Sequence, residues 1–129
     1  MEIGIGATLT TDFDDAVARA REALKERGFG VLTEIDMQAT LKAKIGADVD
    51  RYLILGACNP TLAHRALGID PRIGLLLPCN VVVRADGDTV VVEAMNPQLM
   101  VEVTRNAELA AVAEEAAGLL RAAIGSLAD

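Results

Sequence analysis

Two cysteines, one histidine and four methionines supply all the thiol, imidazole and thioether groups of this 129-residue chain. Each cysteine precedes an asparagine, with a proline flanking the pair: Cys58-Asn59-Pro60 and Pro78-Cys79-Asn80. A thiol just ahead of a helix N-cap feels the positive helix end, which lowers its pKa and makes the thiolate nucleophilic or ready for a metal. A plainer role competes. Cys58 at N′ and Ala63 at N4 would form a small hydrophobic staple, and unpaired cysteine is among the most buried residue types. Cys79 faces Cys58 only if their parent strands are neighbours, which would give a dithiol or a soft-metal pair. Two thiolates alone are an incomplete zinc site, and there is no C-x-x-C. His64, Met37, Met95 or Met100 would complete a copper(I) or haem-type set only if the fold gathers them.

The other candidates are polar. Asn59 and Asn80 can hydrogen-bond a small polar ligand, or simply cap a helix and satisfy a strand end. His64 falls one turn into the helix that Asn59 opens, where a solvent-facing histidine is commoner than a general base. Glu34 and Asp36 share one strand face and could bind a cation or split their pKa values. Lys42 and Lys44 follow closely, so a salt-bridged surface is the plainer reading. No G-x-S-x-G elbow, P-loop or GxGxxG fingerprint occurs.

These residues need elements to hold them. Residues 2 to 9 alternate as a strand, with Ile3, Ile5, Ala7 and Leu9 on one face. Thr11 or Asp12 then caps a helix with apolar positions Phe13, Ala16, Val17, Ala20, Ala23 and Leu24, ended by Arg27-Gly28. Phe29 to Met37 reads as a second strand, and Gln38 to Ile45 as polar, Lys-bearing chain that can form one turn of helix ending at Gly46. Tyr52 to Ala57 is an apolar run suited to a strand buried on both faces. Asn59-Pro60 opens a short helix closed by Gly68. Leu75 to Leu77 reads as extended, followed by the strand Val81 to Val83. Asp86-Gly87 is a hairpin signal joining that strand to Thr89 to Ala94. Asn96-Pro97 starts a turn through Met100, and after Thr104 or Asn106 a last helix runs to about Leu127.

The order β-α-β-β-(short α)-β-β-α favours an α+β fold: a mainly antiparallel sheet with two long helices on one face and an inserted short helix. The chain fits a single domain spanning residues 1–129. Two helices cover only one sheet face, so a homodimer is expected, burying the second face or an extended edge.

Composition narrows the partners. Nineteen acidic against twelve basic residues give a formal charge of −7, which argues against nucleic acid. The N-terminus lacks a basic and apolar leader pattern, and no run reaches the roughly 20 apolar residues of a spanning helix. A cytoplasmic setting is expected, with both cysteines as thiols. Aromatic residues make up 2% of a chain that is 52% hydrophobic, so the core is built from Val, Leu, Ile and Ala.

The segments FGVLTEID, GACNPTLAHRAL and GLLLPCNVVV, in this order, resemble the bacterial and archaeal family named domain of unknown function 302. The resemblance covers nearly the whole chain. It rests on Glu34, Ile35 and Asp36, on Lys44, on Cys58, Asn59 and Pro60, and on Pro78, Cys79 and Asn80. It implies a TATA-binding-protein-like β-α-β(4)-α fold with an extra helix after Asn59 and a tendency to dimerise, and it implies no reaction. A shared fold does not transfer a function. The leading expectation is therefore a non-enzymatic dimeric domain holding a small ligand or metal ion near Cys58 and Cys79. The alternatives are a thiol-dependent redox or nucleophilic enzyme, and a purely structural interaction module.

Overall fold

Alternating apolar residues build the sheet. In the computed structural model, which describes residues 1–127, five strands are β1 (Gly4–Leu9), β2 (Gly30–Asp36), β3 (Tyr52–Cys58), β4 (Cys79–Asp86) and β5 (Thr89–Met95). They lie in the order β1-β5-β4-β3-β2 with every neighbouring pair antiparallel. Register pairs Leu53 with Val83, Leu55 with Val81, Val83 with Val92 and Ala7 with Val92, so all of these point to one face.

That face is covered by two helices. Helix α1 (Phe13–Glu26) starts at Asp12, whose carboxylate accepts from the Asp15 N–H at 2.7 Å, one of the orphan donors of a helix start. Its buried Phe13, Ala16, Ala20, Ala23 and Leu24 recur at helical spacing. Gly28, at φ +85°, turns the chain back so that Phe29 enters the core. Helix α5 (Ala110–Gly125) adds Leu120, Ala123 and Ile124 to the same cluster. Each fully buried Leu or Val in this layer contributes about 1.5–3 kcal/mol relative to exposure.

A second apolar cluster closes one end of the sheet. It joins Leu62 and Ala66 of helix α3 (Pro60–Ile69), Ile73 of a 3-10 turn at Pro71–Leu76, and Met100 of helix α4 (Leu99–Thr104) to Leu109 and Val112, Ala113 and Ala116 of α5. Two buried polar residues hold its connections. Asp70 accepts from the Arg72 N–H at 3.0 Å, and Asn96 donates to the Glu2 carbonyl at 2.9 Å while accepting from the Gln98 N–H.

Three local expectations are corrected. Gln38 to Ile45 is not a polar turn: helix α2 (Met37–Ile45) runs for nine residues, started by the Asp36 carboxylate on the Ala39 N–H at 2.9 Å and stopped by Gly46 at φ +68°. Gly68 lies inside α3, and the helix ends instead at Asp70, whose side chain opens the following turn. Leu75 sits in that 3-10 turn rather than in an extended segment, because Pro71 and Asp70 pre-set it. The hairpin expectation holds: Gly87, at φ +61°, and Asp88 join β4 to β5 with glycine first, as a type II′ turn needs.

The opposite sheet face carries Tyr52, Ile54, Val82, Arg84, Val91, Glu93 and Met95, all half-buried. Helix α2 leans over it at the β2–β3 edge. Ile3, Leu32 and Ile35 remain exposed, Ile3 at 73%. Among the described residues no helix is long and apolar enough to cross a membrane.

Candidate functional site

Strand pairing decides whether the two cysteines meet. β3 and β4 are adjacent, and Ala57 lies opposite Cys79, so the last residue of β3 and the first of β4 reach the same corner of the sheet. Gly56 makes the approach possible. A Cβ there would run into the Thr33 hydroxyl and come within 2.8 Å of Pro78 Cγ, so only glycine lets the 78–80 segment lie this close to β3. Pro78 follows a cis peptide bond from Leu77.

Cys58, Cys79 and Met100 line one cavity of about 30 Å³, with Phe29, Leu62 and Val112 among its apolar walls. That volume holds a single water or ion and no organic molecule. Cys79 is buried at 6% exposure, while Cys58 is half-buried and both are free thiols. Burial, and second the charge of a Cys58 thiolate, push the Cys79 thiol up to about 11. At neutral pH Cys79 is protonated and is no nucleophile.

Asn59 lines the cavity and caps α3: its Oδ1 accepts from the Leu62 N–H at 3.2 Å. The missing Cβ of Gly28 leaves room for the Asn59 amide, since a Cβ would lie 3.0 Å from its nitrogen. Pro60 occupies the first turn, where its lack of an N–H is harmless.

The remaining candidates are elsewhere. Asn80 pairs with Gly56 on the opposite, uncovered face, because a strand sends successive side chains to opposite sides. His64 is exposed on α3. Glu34 and Asp36 stay on one side of β2, but Glu34 is bound to Arg21 of α1, and Asp36 caps α2. The expected lysines are not their partners: Lys42 binds Asp48 at 2.8 Å. Of the methionines, Met100 reaches the thiol cavity, while Met37 and Met95 line separate hollows on the uncovered face. Among the described residues no three His, Cys, Asp or Glu side chains cluster as metal ligands.

Fold and site together define a small α+β domain with a five-stranded antiparallel sheet and a thiol-bearing corner. The family model for the domain of unknown function DUF302 matches residues 5–127, and the chain belongs to that family. It is similar to the crystal structure of an uncharacterized conserved DUF302 protein from Bacillus stearothermophilus, with 26% identity and a TM-score of 0.92 over 98% of this chain and 99% of that one. No curated protein matches the chain.

Proposed function

We propose that this chain is a non-enzymatic, homodimeric, cytoplasmic domain that holds one soft monovalent metal ion, Cu(I), between Cys58 and Cys79 with Met100 beside them. The observation that carries the reading is that Cys58, Cys79 and Met100 all line one cavity of about 30 Å³. Its size favours an ion over a small organic ligand. Thiolate and thioether sulfurs select Cu(I) over hard ions, and the set lacks the four ligands of structural zinc. The complex of two thiolates with Cu(I) is anionic, and the positive end of α3 directly after Cys58 favours that charge. Binding must displace the proton that burial holds on Cys79, so affinity rises with pH. The same raised pKa weighs against Cys79 as the nucleophile of an enzyme.

Dimerisation is supported by the corner of the uncovered face at the far end from α2. Ile3, Val82, Met95 and Leu99 border a hollow of about 230 Å³ there, and a second copy would bury it. The TATA-binding-protein-like reading of the fold stays with this proposal, while the net charge of −7 weighs against nucleic acid.

Anaerobic titration of the reduced protein against a chromophoric Cu(I) chelator tests the metal. One equivalent is expected to be withheld by the protein, and Cys58→Ser and Cys79→Ser are each expected to abolish the competition. A reduced, folded protein that withholds no copper would leave the two thiols a purely architectural role. Light scattering is expected to give twice the 13.5 kDa chain mass at micromolar concentration, and a monomer would remove the dimer.

A further inference from the structure

On the uncovered sheet face an open groove of about 410 Å³ runs between α2 and the paired ends of β3 and β4. This volume lies within the range of small-molecule sites, which are mostly apolar with a few placed polar groups. Met37 and Leu41 of α2, Val49 of the following loop and Ile54 of β3 supply the apolar wall. Tyr52 and Arg84 are register partners across β3 and β4 and form the polar end.

Arg84 has unusual surroundings for this chain. Three arginines are half-buried: Arg19, Arg21 and Arg84. Arg19 lies 3.8 Å from Asp15, and Arg21 is bound to Glu34. The Arg84 guanidinium has no ion pair or hydrogen bond with any described residue, although acidic residues outnumber basic ones 19 to 12. Its neighbours across the sheet are Tyr52 and Val91; of the carboxylates on that face, Glu93 stands opposite Val82, and Asp86, two residues along β4, makes no ion pair with it. A partly desolvated cation without a counter-charge is costly, and an anionic ligand would supply one. The other arginine at the groove is already engaged. Arg51 lies 3.1 Å from Asp14 and stacks 4.2 Å over the Phe13 ring. Asp50, exposed at the groove, repels a second negative charge.

We infer that this groove binds a small organic monoanion with an apolar body, a monocarboxylate whose carboxylate meets Arg84 and Tyr52 while its body lies on Met37, Leu41, Val49 and Ile54. The site is separate from the thiol cavity and does not depend on the copper reading.

Calorimetric titration with octanoate tests it, with octan-1-ol and octanedioate as uncharged and doubly charged counterparts. Octanoate is expected to bind at least tenfold more tightly than either. Arg84→Gln is expected to lose at least tenfold for octanoate and nothing for octan-1-ol, because a charge-assisted hydrogen bond is removed from one ligand only. Arg84→Lys should restore part of the loss, Tyr52→Phe should cost a few-fold, and Cys58→Ser should change nothing. Methyl resonances of Met37, Val49 and Ile54 that shift with octanoate in the wild type would place the ligand without relying on a variant. Equal binding of octanoate and octan-1-ol, unchanged octanoate affinity in a folded Arg84→Gln variant, or no binding at millimolar octanoate would each overturn the proposal. A second copy in the groove, seen as an Arg84→Gln protein that turns monomeric while octanoate fails to bind, would overturn it as well.

Discussion

The two ends of β3 make opposite use of one strand. At its C-terminal end the chain closes on itself: Cys58, Cys79 and Met100 surround about 30 Å³ under α3 and α5, and the walls are apolar. At its N-terminal end Tyr52 and Ile54 face an open groove of about 410 Å³ beside an uncompensated guanidinium. The difference lies in what covers each face. The helix-covered side is closely packed, with Asn59 the one polar side chain beside the sulfurs among the described residues, whereas the uncovered side keeps charge and room for a ligand. Volume and polarity, rather than the reactivity of any one residue, separate an ion site from an organic one.

The largest effect that separates the two faces is a truncation. Leu55 points into the covered side at 0% exposure, while its neighbour Ile54 points to the groove and is half-buried. Leu55→Ala is expected to cost about 2–5 kcal/mol in denaturant unfolding and Ile54→Ala clearly less. Equal costs would show that both faces are covered in solution, as a dimer across the groove would require.

A smaller effect sharpens the dry character of the thiol corner. The folded protein holds the Cys79 proton up to about pH 11, above the ordinary value of 9.0. Protons are therefore bound more tightly in the folded state, and stability is full below pH 9 and falls as pH rises through 11. The loss is on the order of 2–3 kcal/mol. Unfolding curves between pH 8 and 11 check this, and Cys79→Ala is expected to remove that part of the slope. A wild type whose stability is flat over that window would mean that the corner is open to water.

Smaller again is the cap. Asn59→Ala removes the acceptor for the Leu62 N–H and should cost about 1 kcal/mol. The variant should also label faster at Cys58 with a charged alkylating reagent, because α3 then frays over the cavity. Glu34→Gln, which loosens an exposed pair with Arg21, should change stability by less than about 1 kcal/mol and leave both sites as they are.

Much of this architecture could be read from residue order. The alternation in β1, the stripe of α1, the Asn59-Pro60 start of α3 and the hairpin turn at Gly87 all act locally, and each appears where its chemistry requires. Helix α2 was hard to read because its apolar residues are few, Met37 and Leu41 reach only an open groove, Ile45 is exposed, and none of its residues is buried. Its signals were the two ends, Asp36 and Gly46. The thiol pair depended on a fact beyond local pattern, the adjacency of β3 and β4. Asn80 was grouped with Cys79 by proximity in the chain, although strand alternation sends the two side chains to opposite faces. The Arg21 partner of Glu34 required the packing of α1 against β2, which no spacing in the sequence announces. Arg84 is the one charge between Val81 and Ala85, and its isolation shows only when the sheet is assembled.

X-ray absorption at the copper edge of protein loaded anaerobically with one equivalent of Cu(I) tests the thiol corner most directly. The account predicts a first shell made of sulfur alone in the wild type, and loss of bound copper in Cys58→Ser. A shell dominated by nitrogen or oxygen, or a spectrum that Cys58→Ser leaves unchanged, would contradict it.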